Sequence, residues 1–265
     1  MASARTHLKR LIIAAAIVPP LYFYVTKLPP VFFNVLIAVL GLGALYELLS
    51  FYKNPAWLRT TGVVLGAFIL LSTGLTGEIL SESFALSVLV ILAARMVTGP
   101  PDGAMKDISA LVAALVYIPG LVSFQMLLRE IGAEWIIFLY ATVWSADSLA
   151  FYIGSSIGRW KLYPAVSPNK TVEGAIGSVL GGILSAIILK KALTLGITYQ
   201  GALLAGALIG SVAVIGDLVE SMFKRDAGVK DSSRLLPEHG GVLDKIDGSL
   251  FCGPVLYWTL RFLNR

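Results

Sequence analysis

Cysteine is nearly absent from the sequence, with one residue, Cys252, in 265. A single thiol excludes an intrachain disulfide, and two histidines, His7 and His239, fall short of the ligand set of a structural zinc site. Cys252 sits in an apolar run and reads as a small core residue. Charge is scarce as well: 14% of residues are charged against 57% hydrophobic, and mean hydropathy is +0.81. That is too little charge to cover a water-soluble domain. No GxxxxGK(S/T) loop is present, so a nucleotide site here is not of the P-loop type. Internal repeats of the transporter kind and low-complexity tracts are absent too.

What remains is long apolar runs. A bilayer span takes about 20 apolar residues and leaves the backbone no water to bond, so these segments are read as helices. The expected fold is an all-α integral membrane protein, a polytopic bundle of about nine transmembrane helices. The segments lie near 11–25, 31–49, 60–75, 84–98, 107–128, 134–157, 172–193, 199–222 and 249–263. The first follows a short basic start with Arg5, Lys9 and Arg10 and lacks a clear small-residue cleavage site, so it reads as a retained helix rather than a signal. Residues 1–130 are expected to be scaffold helices offering lipid access or dimer contacts, and 131–265 the catalytic region with two cytoplasmic loops. Gly177 with Gly181, and Gly206 with Gly210, have the spacing that lets membrane helices approach closely.

Basic residues divide unevenly between the two sides: fifteen of the 21 fall on the side of the N-terminus and six on the other. Short cytoplasmic loops hold the excess of Lys and Arg, which predicts a cytoplasmic N-terminus. The same rule puts the charged stretch Ser221–Asp247, with ten formal charges in twenty-seven residues, on that face.

Acids in membrane helices mark chemistry, because each costs ~2.5–3.5 kcal/mol at mid-bilayer unless partnered. The first five segments carry few ionisable groups besides Glu47 and Arg95, whereas Asp147, Glu173, Asp217 and Glu220 fall in the second half. Asp217, Glu220 and Lys224 share a helix face, either as an ion pair or as part of a site. Asp244 and Asp247 share a face if the last helix starts near Leu243. They read as caps of that helix or, with Asp217, as hard oxygen ligands for Mg²⁺. His239-Gly240-Gly241 is a loop able to expose backbone N–H groups to phosphate. In the second basic loop, Gly158–Gly174, Ser167, Lys170 and Thr171 read as phosphate binders, with Lys170 as a point charge and the next helix's N-terminus facing the anion; solvated positive-inside charge is the alternative.

The charged stretch Ser221–Asp247 resembles the signature of the phosphatidate cytidylyltransferase (CDP-diacylglycerol synthase) family. The matching positions are Ser221, Phe223, Lys224, Arg225, Lys230, Asp231, Ser233, Pro237, His239, Gly240, Gly241, Val242, Asp244, Ile246 and Asp247. The pattern W-x-A-D-S-x-A-F at Trp144–Phe151 and S-P-x-K-T-x-E-G at Ser167–Gly174 extend the resemblance over the C-terminal half. One position departs: Lys245 stands where the family signature has arginine, keeping the charge and losing the planar pair of donors.

The resemblance implies a nucleotidyltransferase of phospholipid biosynthesis that converts CTP and phosphatidate to CDP-diacylglycerol and pyrophosphate. It implies catalytic roles for Asp217, Lys224, Lys230, Asp231, His239, Asp244 and Asp247. Substrate phosphates fall to Asp147, Ser167, Lys170, Thr171, Glu173, Ser221, Arg225, Gly240, Gly241 and Lys245. Mg²⁺ would sit on Asp217, Asp244 and Asp247, with K⁺ as a candidate second cation. It further implies a homodimer in the inner (cytoplasmic) membrane, among membrane lipids and with no nucleic-acid partner. A CTP-dependent kinase of polyprenol or another lipid alcohol is the alternative enzyme. A cation-coupled transporter would explain buried carboxylates without explaining the basic loops.

Overall fold

In the computed structural model the described residues are 19–20, 22–79, 81–230, 232–233 and 240–263. Residues 22–27 are helical and lead into α1, Pro30–Phe51. Next come α2, Ala56–Thr76, and α3, Ser81–Thr98. Then α4 runs from Ala104 to Ile131 as one span with a π-helical turn, Val116–Gly120, at its centre. Pro119 sits in that turn. Proline lacks an N–H and its ring crowds the carbonyl four residues back, so the wider turn absorbs the interruption without ending the helix.

The second half is α5 (Ala133–Ile157), α6 (Val172–Ala192), α7 (Tyr199–Asp226) and α8 (Leu243–Leu263). Between α5 and α6 the basic loop folds into an antiparallel hairpin, β1 (Lys161–Tyr163) with β2 (Ser167–Thr171), pairing Lys161 with Thr171 and Tyr163 with Ser167. Eight of the nine segments expected from hydropathy thus coincide with helices. The described end of the first is helical too; its residues 11–18 lie outside the described set. Seven helices are long and apolar enough to cross a membrane among the described residues, and the protein is a multi-pass, all-α membrane protein. The last helix, α8, begins six residues before its apolar run, at Leu243.

Helices α5 to α8 pack in succession, and glycine sets how closely. A Cβ on Gly181 would strike the Ser145 carbonyl of α5 at 2.6 Å, and one on Gly210 would strike the Ser178 carbonyl of α6 at 2.5 Å. Ser178 fills the opening by donating to the Gly210 carbonyl at 2.7 Å. Backbones this near gain dispersion contacts that larger residues would block, which matters where lipid tails compete equally for apolar faces. Gly216 does the same at the crossing of α7 and α8, where a Cβ would lie 2.8 Å from the Asp247 carbonyl. That crossing builds the site.

Candidate active site

Because α7 and α8 touch where Gly216 meets Asp247, the acids beside that contact converge. Asp217, Glu220 and Asp247 each present a carboxylate oxygen within 4.8 Å of the other two. Two of them, Asp217 and Asp247, belong to the metal set expected from sequence. Glu220 is the third, at 1% exposure; the sequence places it on one helix face with Asp217 and Lys224, outside the expected metal set.

Asp244 is engaged elsewhere. Its Oδ1 meets Lys224 Nζ at 2.7 Å, and its Oδ2 accepts from Gly241 N at 2.7 Å, Ser232 Oγ at 2.9 Å and Ser232 N at 3.2 Å. These bonds hold it at the start of α8 and tie the charged loop to α7. Both of its oxygens are occupied by protein donors.

Cations flank the cluster. Lys170, at the end of β2, pairs with Asp217, and Lys224 bridges Glu220 and Asp244. Ser221 Oγ reaches Asp217 Oδ1 at 3.3 Å. Asp247 accepts from its neighbour Gly248 N at 2.8 Å and has no cationic partner among the described residues. Glu220 Oε1 is buried and meets no donor. Buried carboxylates left this way carry a large desolvation cost, which a hard cation offsets; three converging carboxylate oxygens are the hard donor set that suits Mg²⁺.

Not every expected contributor points here. Thr171 Oγ1 accepts Gly174 N at 3.1 Å as the N-cap of α6, and Glu173 Oε1 accepts Arg159 N at 2.9 Å, so both fasten the hairpin to its helix. Arg225 donates to the carbonyls of Val166 and Val229, joining hairpin and loop. Ser167 holds the hairpin register, and Asp147 on α5 lies within electrostatic range of Asp217 and Lys170. Lys230 and Lys245 are exposed. Asp231 and His239 lie outside the described residues.

The glycine pair is placed for geometry. Gly240 has φ +80°, the left-handed region that favours glycine, and a Cβ on Gly241 would collide with Ser232 Oγ and Glu47 Oε2. The Gly241 N–H, expected to face phosphate, donates to Asp244, and the Val242 and Leu243 N–H groups that follow donate to Glu47.

Glu47 is the residue sequence reasoning missed at this site. It lies on α1, 5% exposed, and accepts from Ser233 Oγ at 2.6 Å, Leu243 N at 2.9 Å, Val242 N at 3.0 Å and Ser232 Oγ at 3.1 Å. The positive end of the α8 dipole adds to its stabilisation. Its only signal in the sequence is an acid in an otherwise uncharged membrane helix. A second tie runs from Tyr52, just past α1, whose hydroxyl donates to Asp226 Oδ2 at 2.8 Å; burial and that carboxylate push the hydroxyl's pKa up.

Comparison with known proteins places the chain in a family. Residues 8–263 match the model of the cytidylyltransferase family. A phosphatidate cytidylyltransferase of Bacillus subtilis (strain 168) is 34% identical over 262 residues, covering 95% of this chain and 96% of the relative. Proteins of the same name from Thermotoga maritima and Synechocystis sp. are 30% and 34% identical, covering 97% and 95% of this chain and 97% and 96% of theirs. The chain belongs to the cytidylyltransferase family.

Proposed function

We propose that the protein transfers the cytidylyl group of CTP to phosphatidate, forming CDP-diacylglycerol and pyrophosphate. A phosphate oxygen of the lipid attacks the α-phosphorus of CTP, and the bond from that phosphorus to the bridging oxygen of the β-phosphate breaks. The lipid phosphate is already an anion at neutral pH, so the residues need to hold and screen charge more than to remove a proton. The observation that carries the reading is the convergence of Asp217, Glu220 and Asp247 beside Lys170 and Lys224 at the ends of membrane helices.

In this reading Asp217, Glu220 and Asp247 hold Mg²⁺, which when bound screens the phosphates and polarises the α-phosphorus. Lys224 keeps Glu220 and Asp244 in fixed relation, and Lys170 sits where a phosphate oxygen can replace Asp217 as its partner. Exposed Lys230 and Lys245 are available to the triphosphate. The site faces the cytoplasm in the inner membrane, which the fifteen-to-six division of basic residues supports. A K⁺ ion beside Mg²⁺ and assembly as a homodimer complete the proposal, on the strength of the family resemblance.

Incubation of the purified protein with phosphatidate and CTP labelled at either the α or the γ position tests it. Lipid labelled from the α position is the expected result. Lipid labelled from γ would make the protein a kinase, and no labelled lipid from either would remove the transferase reading.

A further inference from the structure

Between α1, α4 and the end of α7 lies a cavity of about 470 Å³, within the ~300–1,000 Å³ range of small-molecule sites. Its walls are apolar, formed by Leu48, Ala110, Ala113 and Phe223. Its rim carries Lys53 and Lys106, which have no ion-pair partner among the described residues. Asp107, the acid beside them, is already held by Arg95 at 2.8 Å.

At its inner end the cavity is lined by Tyr117 from the π-helical turn, 9% exposed, whose hydroxyl meets no partner. The Tyr117 ring packs on Phe223 at 5.3 Å and Phe251 at 6.1 Å, within electrostatic range of Glu220, Asp247 and Asp217. An apolar slot with two free cations at its mouth and an unsatisfied hydroxyl on its wall, on a ring packed against the helices that carry the carboxylates, matches an amphiphile with an anionic head.

We propose that this cavity is the entry and acyl seat of the lipid substrate, a phosphomonoester lipid drawn in by Lys53 and Lys106 and met by the Tyr117 hydroxyl. The assignment rests on the transferase reading above and deepens it. It makes α1 and α4 part of substrate recognition. Lys53 and Lys106 act on the lipid and not on CTP.

The test compares wild type, Lys53→Gln/Lys106→Gln and Ala113→Phe in steady-state assays with CTP and with phosphatidates of increasing chain length. The double variant is expected to raise KM for phosphatidate roughly tenfold or more and leave KM for CTP unchanged. A buried methylene is worth about fourfold in affinity, so wild type gains with chain length and Ala113→Phe flattens that dependence. Unchanged phosphatidate parameters in both variants, or equal shifts for both substrates, overturn the seat. Equal competition by a phosphodiester lipid also overturns it and assigns the cavity to bulk anionic lipid. Should wild type make no CDP-lipid at all, equilibrium binding of phosphatidate against diacylglycerol decides separately. Binding lost in the double variant then keeps the seat without the reaction, and unchanged binding removes it.

Discussion

Glu47 Oε2 accepts the backbone N–H of Leu243 at 2.9 Å across 196 residues of sequence. Through Ser232 Oγ, which also reaches Asp244, and through Lys224, this carboxylate connects to Glu220 in the cluster. Charge-assisted hydrogen bonds contribute ~1.5–3 kcal/mol each, so Glu47→Ala is expected to destabilise the protein by at least about 3 kcal/mol. Glu47→Gln keeps the shape and sets an amide NH₂ against two donors; it should lower kcat more than it lowers the melting temperature. Thermal unfolding in detergent alongside kcat checks both, and wild-type values in Glu47→Gln would remove the connection.

The metal assignment separates two aspartates three residues apart. Asp247→Asn and Glu220→Gln are expected to raise the Mg²⁺ concentration needed for half-maximal rate and to reduce the maximal rate at least about a hundredfold. Asp244→Asn should instead leave the Mg²⁺ requirement near wild type while lowering rate and stability, because it frees Lys224 and Ser232. Mg²⁺ titrations of the three variants read this directly. An Asp247→Ala protein with near-normal Mg²⁺-dependent turnover would make Asp247 a helix residue only.

Lys245 is the point of departure from the family signature and is exposed at the first turn of α8. If it meets a substrate phosphate, arginine supplies paired donors and alanine none. Lys245→Arg is expected to raise catalytic efficiency, and Lys245→Ala to lower it by roughly ten- to a hundredfold. Equal efficiencies for all three residues would leave Lys245 facing solvent.

Orientation is read best at exposed positions on opposite ends of α7. Ser232 is buried and a poor reporter, whereas Lys230 and Gln200 are both exposed. In Cys252→Ser background, a cysteine at Gln200 should react with an impermeant thiol reagent on intact cells and one at Lys230 should not. The opposite labelling would invert the topology.

Hydropathy made the helices legible because a membrane span must be apolar over its whole length, and eight of the expected segments needed only their ends adjusted. Asp217 stood out as one of the few acids in such segments, and Asp247 through its three-residue spacing from Asp244 at a helix start. Glu220 was visible but not its use, which depends on how α8 crosses α7 at Gly216. The partners of Glu47 lie almost two hundred residues away, and no local spacing encodes them. The hairpin at 161–171 hid in a polar loop containing Pro168, a residue that suits the edge of a two-stranded ribbon and weakens any strand signal.

The π-helical turn in α4 has an angular consequence. One residue more than an α-helical turn requires advances everything beyond it by about 100° around the helix axis. A single helix thereby serves two neighbours that a regular α-helix could not both face. Ahead of the turn Ala110 and Ala113 line the cavity against α1 and α7, and after it Gln125 reaches Ser249 of α8 and receives the Tyr140 hydroxyl of α5. Deleting one residue at Val116 would wind the turn back to regular pitch and rotate the lower half of α4 out of register with α5 and α8.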